Sequence, residues 1–153
     1  MNLTPISRAY FLATCTLFTL SLCSCGARSG GPSDIDPDAP TEFTVTDSGL
    51  KYRILRKSNG DKPMGSDEVT VDYSGWLDDG TIFDTSYGRP SSTSFRLANV
   101  ISGWTEGMKL IGEGGMIELE IPSELGYGES GQPPIIPPNA TLHFKIELHR
   151  IDE

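Results

Sequence analysis

The chain has 153 residues, of which 37% are hydrophobic and 22% charged, and a formal net charge of −9; this leaves room for one ordinary domain and a little extra. So acidic a surface repels phosphate backbones, which argues against nucleic-acid binding, and it disfavours electrostatic adhesion to anionic lipid. Cysteines stand only at 15, 23 and 25, so no disulfide framework spans the remainder and that part must rest on its own core.

Met1–Arg8 is a polar start with one positive charge, and Ala9–Leu22 is uncharged, apolar or small. That stretch is shorter than the roughly 20 residues a spanning helix needs and suits the hydrophobic part of a secretory signal. It ends Leu22-Cys23-Ser24-Cys25-Gly26, which resembles a bacterial lipobox. The resemblance implies residues 1–24 as a cleaved signal peptide and diacylation of the Cys25 sulfur. Cys23 fits less well because the bulky Leu22 precedes it. Two or more acyl chains would hold the protein on a membrane without a spanning helix. Gly26 is not the familiar Asp retention signal, so a periplasm-facing outer membrane is favoured where the organism has one.

Residues 25–42 are rich in Gly, Ser, Pro and Asp and read as a flexible tether. Asp34, Asp36 and Asp38 alternate like a calcium loop, but Ala39 occupies the position that needs Gly and Val45 the position that needs Glu. From residue 43 onward the pattern has period two. Leu50, Tyr52 and Ile54 suggest a first strand. Val69, Val71 and Tyr73 alternate with polar residues, as do Ile117, Leu119 and Ile121, and again Leu142, Phe144, Ile146 and Leu148. Such alternation predicts antiparallel strands with one wet face. One segment departs from it: Val100, Ile101, Trp104, Met108 and Ile111 recur at helical spacing, with Asn99 placed to cap the start and Gly112 to stop the end. The predicted fold is α+β, a twisted antiparallel sheet of about five strands wrapped around one short amphipathic helix.

The usual catalytic signatures are missing. His143 and His149 lie on or just after the last strand without cysteine or a neighbouring histidine, so they suit a polar strand face better than zinc. The run from Gly112 to Gly115 lacks dinucleotide-loop spacing and no Walker Lys follows it. No serine sits in a nucleophile elbow. Any chemistry must therefore proceed without a covalent intermediate, and no cofactor is called for.

Four segments carry the functional signal: Val71-Asp-Tyr-Ser-Gly-Trp76, Asp79-Gly-Thr-Ile-Phe-Asp-Thr-Ser86, Val100-Ile-Ser-Gly-Trp-Thr-Glu-Gly107, and Gly126-Tyr-Gly followed by Ile135-Ile-Pro-Pro-Asn-Ala-Thr-Leu-His-Phe144. Aromatic and aliphatic groups with a few polar tips suit a small-ligand pocket. In order and spacing these segments resemble the FKBP-type prolyl isomerase domain, over roughly residues 43–153. The resemblance implies a pocket lined by Tyr73, Phe83, Phe95, Val100, Ile101 and Phe144, floored by Trp104, with Ile135 and Ile136 on a flap above it. It further implies Asp84 and Tyr127 as the polar catalytic groups, the Ile101 backbone N–H as a donor to substrate carbonyls, and proline-containing polypeptides and macrolide inhibitors as partners. The alternative is a module that holds proline segments with little turnover. One departure is specific. The family places aromatics at i and i+2 before the helix, which fall here at Thr93 and Phe95, so one wall is missing and the pocket mouth is more open. Residues 26–42 are too short and Pro-rich for the helical dimerisation region of some relatives, which predicts a monomer.

Overall fold

The computed structural model describes residues 34–152. The predicted signal peptide, Cys25 and the first part of the predicted tether lie outside them. The described chain forms strands β1 (Thr44–Val45), β2 (Lys51–Arg56), β3 (Glu68–Trp76), β4 (Ile82–Thr85) and β5 (Thr93–Arg96), then helix α1 (Ser102–Met108), then β6 (Met116–Ile121) and β7 (Leu142–Asp152). They make one antiparallel sheet in the order β1-β2-β6-β7-β3-β4, with β5 also on β3. β3 shares one edge between two short partners, pairing β5 through residues 68–71 and β4 through residues 74–76.

The alternation seen in the sequence is the pleat of these strands. Val69, Val71, Tyr73, Ile117, Leu119, Ile121, Leu142, Phe144, Ile146 and Leu148 are buried against the helix side. Between them, Glu118 and Glu120 face outward and meet Arg53 and Lys51 across the strand pair, at 2.8 and 2.5 Å. Seven strands replace the predicted five or so. The additional ones are too short to show a period: β1 has two residues and β4 and β5 four each. β2 keeps strict alternation only to Ile54. A register shift follows, and Leu55 turns into the core while Arg56 reaches Glu147 at 2.7 Å.

The helix is shorter than its apolar spacing predicts. Leu97–Asn99 forms a separate 3-10 turn, so Asn99 does not cap α1. The N-cap position is Ile101, extended at φ −59° and ψ 149°, with no side-chain cap. Thr105 Oγ1 instead ties the entry by donating to the Leu97 carbonyl at 2.7 Å. The composition of α1 serves contact more than propensity. A Cβ on Gly103 would lie 2.5 Å from Ile121 Cγ2, and one on Gly107 2.6 Å from Leu119 Cδ1. Glycine costs about 1 kcal/mol of helix propensity at each site but lets α1 lie directly on β6, with Trp104 and Met108 buried beside it.

The tether predicted through residue 42 makes specific contacts from Asp34 onward. The Asp36 N–H donates to the Leu55 carbonyl at 2.8 Å, and the Asp36 carboxylate accepts the Lys57 N–H at 2.8 Å. Arg53 Nη1 donates to the Thr41 carbonyl at 2.9 Å, and its guanidinium covers the Phe43 ring at 5.0 Å. This segment therefore lies along β2.

Candidate active site

All eleven pocket residues named from the sequence line one cavity of about 520 Å³, between the inner face of the sheet, the entry of α1 and the loop after β6. Its floor is Trp104, in the first turn of α1 and almost fully buried. The indole meets Tyr73, Phe95 and Phe144 edge-on, with ring centres 5.3, 5.6 and 5.3 Å away. Phe83 meets Phe144 in the same way at 5.4 Å. Edge-to-face contacts fix ring orientation as well as burying area, so the walls support one another. Gly75 makes this possible from behind: a Cβ there would stand 2.7 Å from both Phe144 and Phe83.

The polar groups are few and concentrated. The Tyr73 hydroxyl donates to Asp84 Oδ2. Arg89 Nη2 donates to Asp84 Oδ1 at 2.5 Å, and its guanidinium lies over the Tyr73 ring at 5.9 Å. Burial, followed by the hydrogen bond and negative charge of Asp84, pushes the Tyr73 hydroxyl pKa up to about 12. Burial and then the charge of Asp84 also push up Tyr127. Both phenols thus keep their protons as donors at neutral pH. The Tyr127 hydroxyl and the Ile101 N–H have no hydrogen-bond partner among the described residues. The flap is pinned by reciprocal backbone bonds between Gln132 and Ile136, at 2.8 and 3.0 Å. It separates the two predicted isoleucines: Ile136 is 4% exposed and belongs to the core, while Ile135 is 54% exposed and forms the rim.

Residues 60–149 match the family model for the FKBP-type peptidyl-prolyl cis-trans isomerase. The chain belongs to this family. It is 52% identical over 104 residues to the FKBP-type peptidyl-prolyl cis-trans isomerase FkpA of Escherichia coli K12, which covers 68% of this chain and 38% of that protein. It is 44% identical over 101 residues to the peptidyl-prolyl cis-trans isomerase Mip of Coxiella burnetii, covering 66% of this chain and 44% of the relative. The chain thus spans less than half the length of these curated relatives. Among solved structures, the crystal structure of FkpA from Escherichia coli superposes with a TM-score of 0.70 at 47% identity, covering 74% of this chain and 53% of that one. A peptidyl-prolyl cis-trans isomerase from Pseudomonas syringae superposes with a TM-score of 0.69 at 35% identity, covering 74% and 84%.

The FKBP resemblance located the aromatic walls but not everything around them. Arg89 and Asn99 have no pocket role in that resemblance, while Gln132, Pro133 and Pro134 belong to its flap segment. Asn99, Gln132 and the two prolines line the cavity, and Arg89 holds Asp84. At Thr93, where the second aromatic is lacking, the neighbouring group is again Arg89, with Nη1 3.4 Å from Thr93 Oγ1.

Proposed function

We propose that the chain is a peptidyl-prolyl cis-trans isomerase that accelerates X-Pro bond rotation in exported proteins. The observation that carries this reading is an aromatic cavity with two lining donors left without partners among the described residues, the Ile101 N–H and the Tyr127 hydroxyl. Rotation about X-Pro faces a barrier of ~18–20 kcal/mol from amide resonance. At its top the amide is twisted and its carbonyl less polar, and a dry aromatic pocket favours that form over the planar one. The two donors hold the flanking carbonyls, while Asp84, fixed by Tyr73 and Arg89, forms the polar wall beside the twisted bond. Differential stabilisation of ~4 kcal/mol corresponds to about a thousandfold, within reach of preorganised donors and desolvation. No step needs a covalent intermediate.

The test is a protease-coupled or NMR exchange assay of the purified protein on an X-Pro peptide, with and without tacrolimus. Acceleration at micromolar protein supports the isomerase. Peptide binding without acceleration makes it a holding module. Thr93 leaves the mouth open, so tacrolimus is expected to inhibit weakly. The same reading includes a lipid on Cys25, facing the periplasm from the outer membrane, and a single-pocket monomer. Cys25→Ser is expected to release the protein from membranes; an acylated product still bound would reject that site. Sedimentation of the detergent-solubilised protein as a dimer would reject the monomer.

A further inference from the structure

The Asp72 side chain lies on the outer face of β3, away from the pocket that its neighbour Tyr73 lines. Its carboxylate is only 13% exposed and fully engaged. Oδ1 accepts the Ser86 hydroxyl at 2.9 Å, and Oδ2 accepts the Ser92 hydroxyl at 3.0 Å and faces His149 Nε2 at 2.9 Å. Ser86 and Ser92 are the two ends of the connection between β4 and β5. One carboxylate therefore clasps both ends of the loop Ser-Tyr-Gly-Arg-Pro-Ser-Ser, which is further held by the half-buried Tyr87 side chain and by the Tyr87 N–H donating to Thr85 Oγ1 at 3.2 Å. Burial alone would raise the Asp72 pKa; the hydrogen bonds from Ser86, His149 and Ser92 outweigh burial and hold it below the usual carboxylate value. It stays ionised and keeps its full accepting capacity.

The clasp leads into the pocket. The Ser86 Oγ also accepts the Tyr73 N–H at 2.8 Å, and the Ser86 carbonyl accepts the Arg89 N–H at 2.9 Å. Arg89, in the middle of the loop, is the residue that grips Asp84 and covers Tyr73. A continuous set of hydrogen bonds thus runs from Asp72 outside the sheet, through Ser86 and Arg89, to the Asp84 carboxylate inside it.

We propose that Asp72 is a positioning residue: by clasping Ser86 and Ser92 it fixes the loop that carries Arg89, and through Arg89 it sets the orientation of Asp84 in the pocket. Its effect on turnover rests on the isomerase reading, while its effect on Arg89 does not.

A double-mutant cycle tests it on the whole protein. Asp72→Ala and Arg89→Ala are each expected to lower kcat/KM about fivefold, and the double variant is expected to match Arg89→Ala alone, because coupled residues are non-additive. Losses that multiply would overturn the proposal. A second readout needs no turnover. The Arg89 guanidinium protons are expected to give separate NMR signals in the wild type and to average together in Asp72→Ala. Unchanged signals would overturn the proposal too. Absence of turnover in the wild type would defeat the isomerase reading and leave the NMR test standing. Should Asp72→Ala fail to fold, Ser92→Ala opens one end of the clasp and is expected to move both readouts in the same direction; no movement in either would count against the clasp.

Discussion

Both oxygens of the Asp84 carboxylate are occupied, one by Tyr73 and one by Arg89, so the polar wall is held in one orientation before any ligand arrives. Such preorganisation costs nothing at the moment of rotation. Asp84→Ala is therefore expected to lower kcat/KM about tenfold or more, and Tyr127→Phe, which removes one unpartnered donor, to cost a similar factor. Thermal unfolding should change little in Tyr127→Phe, since its hydroxyl bonds to nothing among the described residues; a large drop in Tm would make that residue structural. Tyr73 gives a pH signature. Its folded pKa, about 12, lies above the ordinary value of 10.0. The stability this contributes is complete below the unfolded value and is lost as the pH rises through the folded one. Urea midpoints measured from pH 9 to 12 are expected to fall less steeply in Tyr73→Phe than in the wild type. Asp84 and Tyr127 are placed beside the pocket by the FKBP resemblance, and both do line the cavity. Arg89 could not be read in the sequence, because its role depends on how a turn folds back, and no periodicity records that.

Between elements, glycine decides how closely layers approach. Gly75 on β3 backs the Phe83 and Phe144 rings, and Gly103 and Gly107 on α1 sit against Ile121 and Leu119. Overpacking a filled core costs about 1–3 kcal/mol. Gly107→Ala is expected to lose that much in urea unfolding while leaving peptide affinity largely intact. Gly75→Ala should do the reverse in emphasis: both aromatic walls must shift, so affinity for a proline peptide, read by titration, falls more than the core weakens. Equal effects of the two variants on affinity would mean that Gly75 does not shape the pocket. The long strands were legible because β3, β6 and β7 carry several turns of one alternation with a wet outer face. The short strands were not, because four residues against half of β3 cannot establish a period. The helix is shorter than its apolar spacing predicts because Val100 and Ile111 keep that spacing while the backbone lies outside the helix. Their side chains follow the same core from non-helical turns.

At the scale of the whole molecule, Lys51–Glu120 and Arg53–Glu118 pair across strands on the outer sheet face, and pairs of this kind are worth only about 0–1 kcal/mol where exposed. Cohesion therefore rests on the apolar face shared by the sheet and α1. The segment from Asp34 to Phe43 extends this body along β2. The Asp36 N–H bound to the Leu55 carbonyl and the Asp36 carboxylate bound to the Lys57 N–H predict slow hydrogen exchange at Asp36 and Lys57. Asp36→Ala is expected to speed exchange at Lys57 at least about tenfold while leaving the pocket amides unchanged. Composition suggested a tether up to residue 42, because Gly, Ser, Pro and Asp serve turns and linkers equally; only the partners offered by β2 distinguish the two. That docking sets a leash length. With the lipid on Cys25 as proposed, the eight residues 26–33 could span at most about 30 Å between that anchor and Asp34, where the described contacts begin. The pocket would patrol a shell close to the lipid surface, meeting chains as they emerge there and missing those that have diffused farther away.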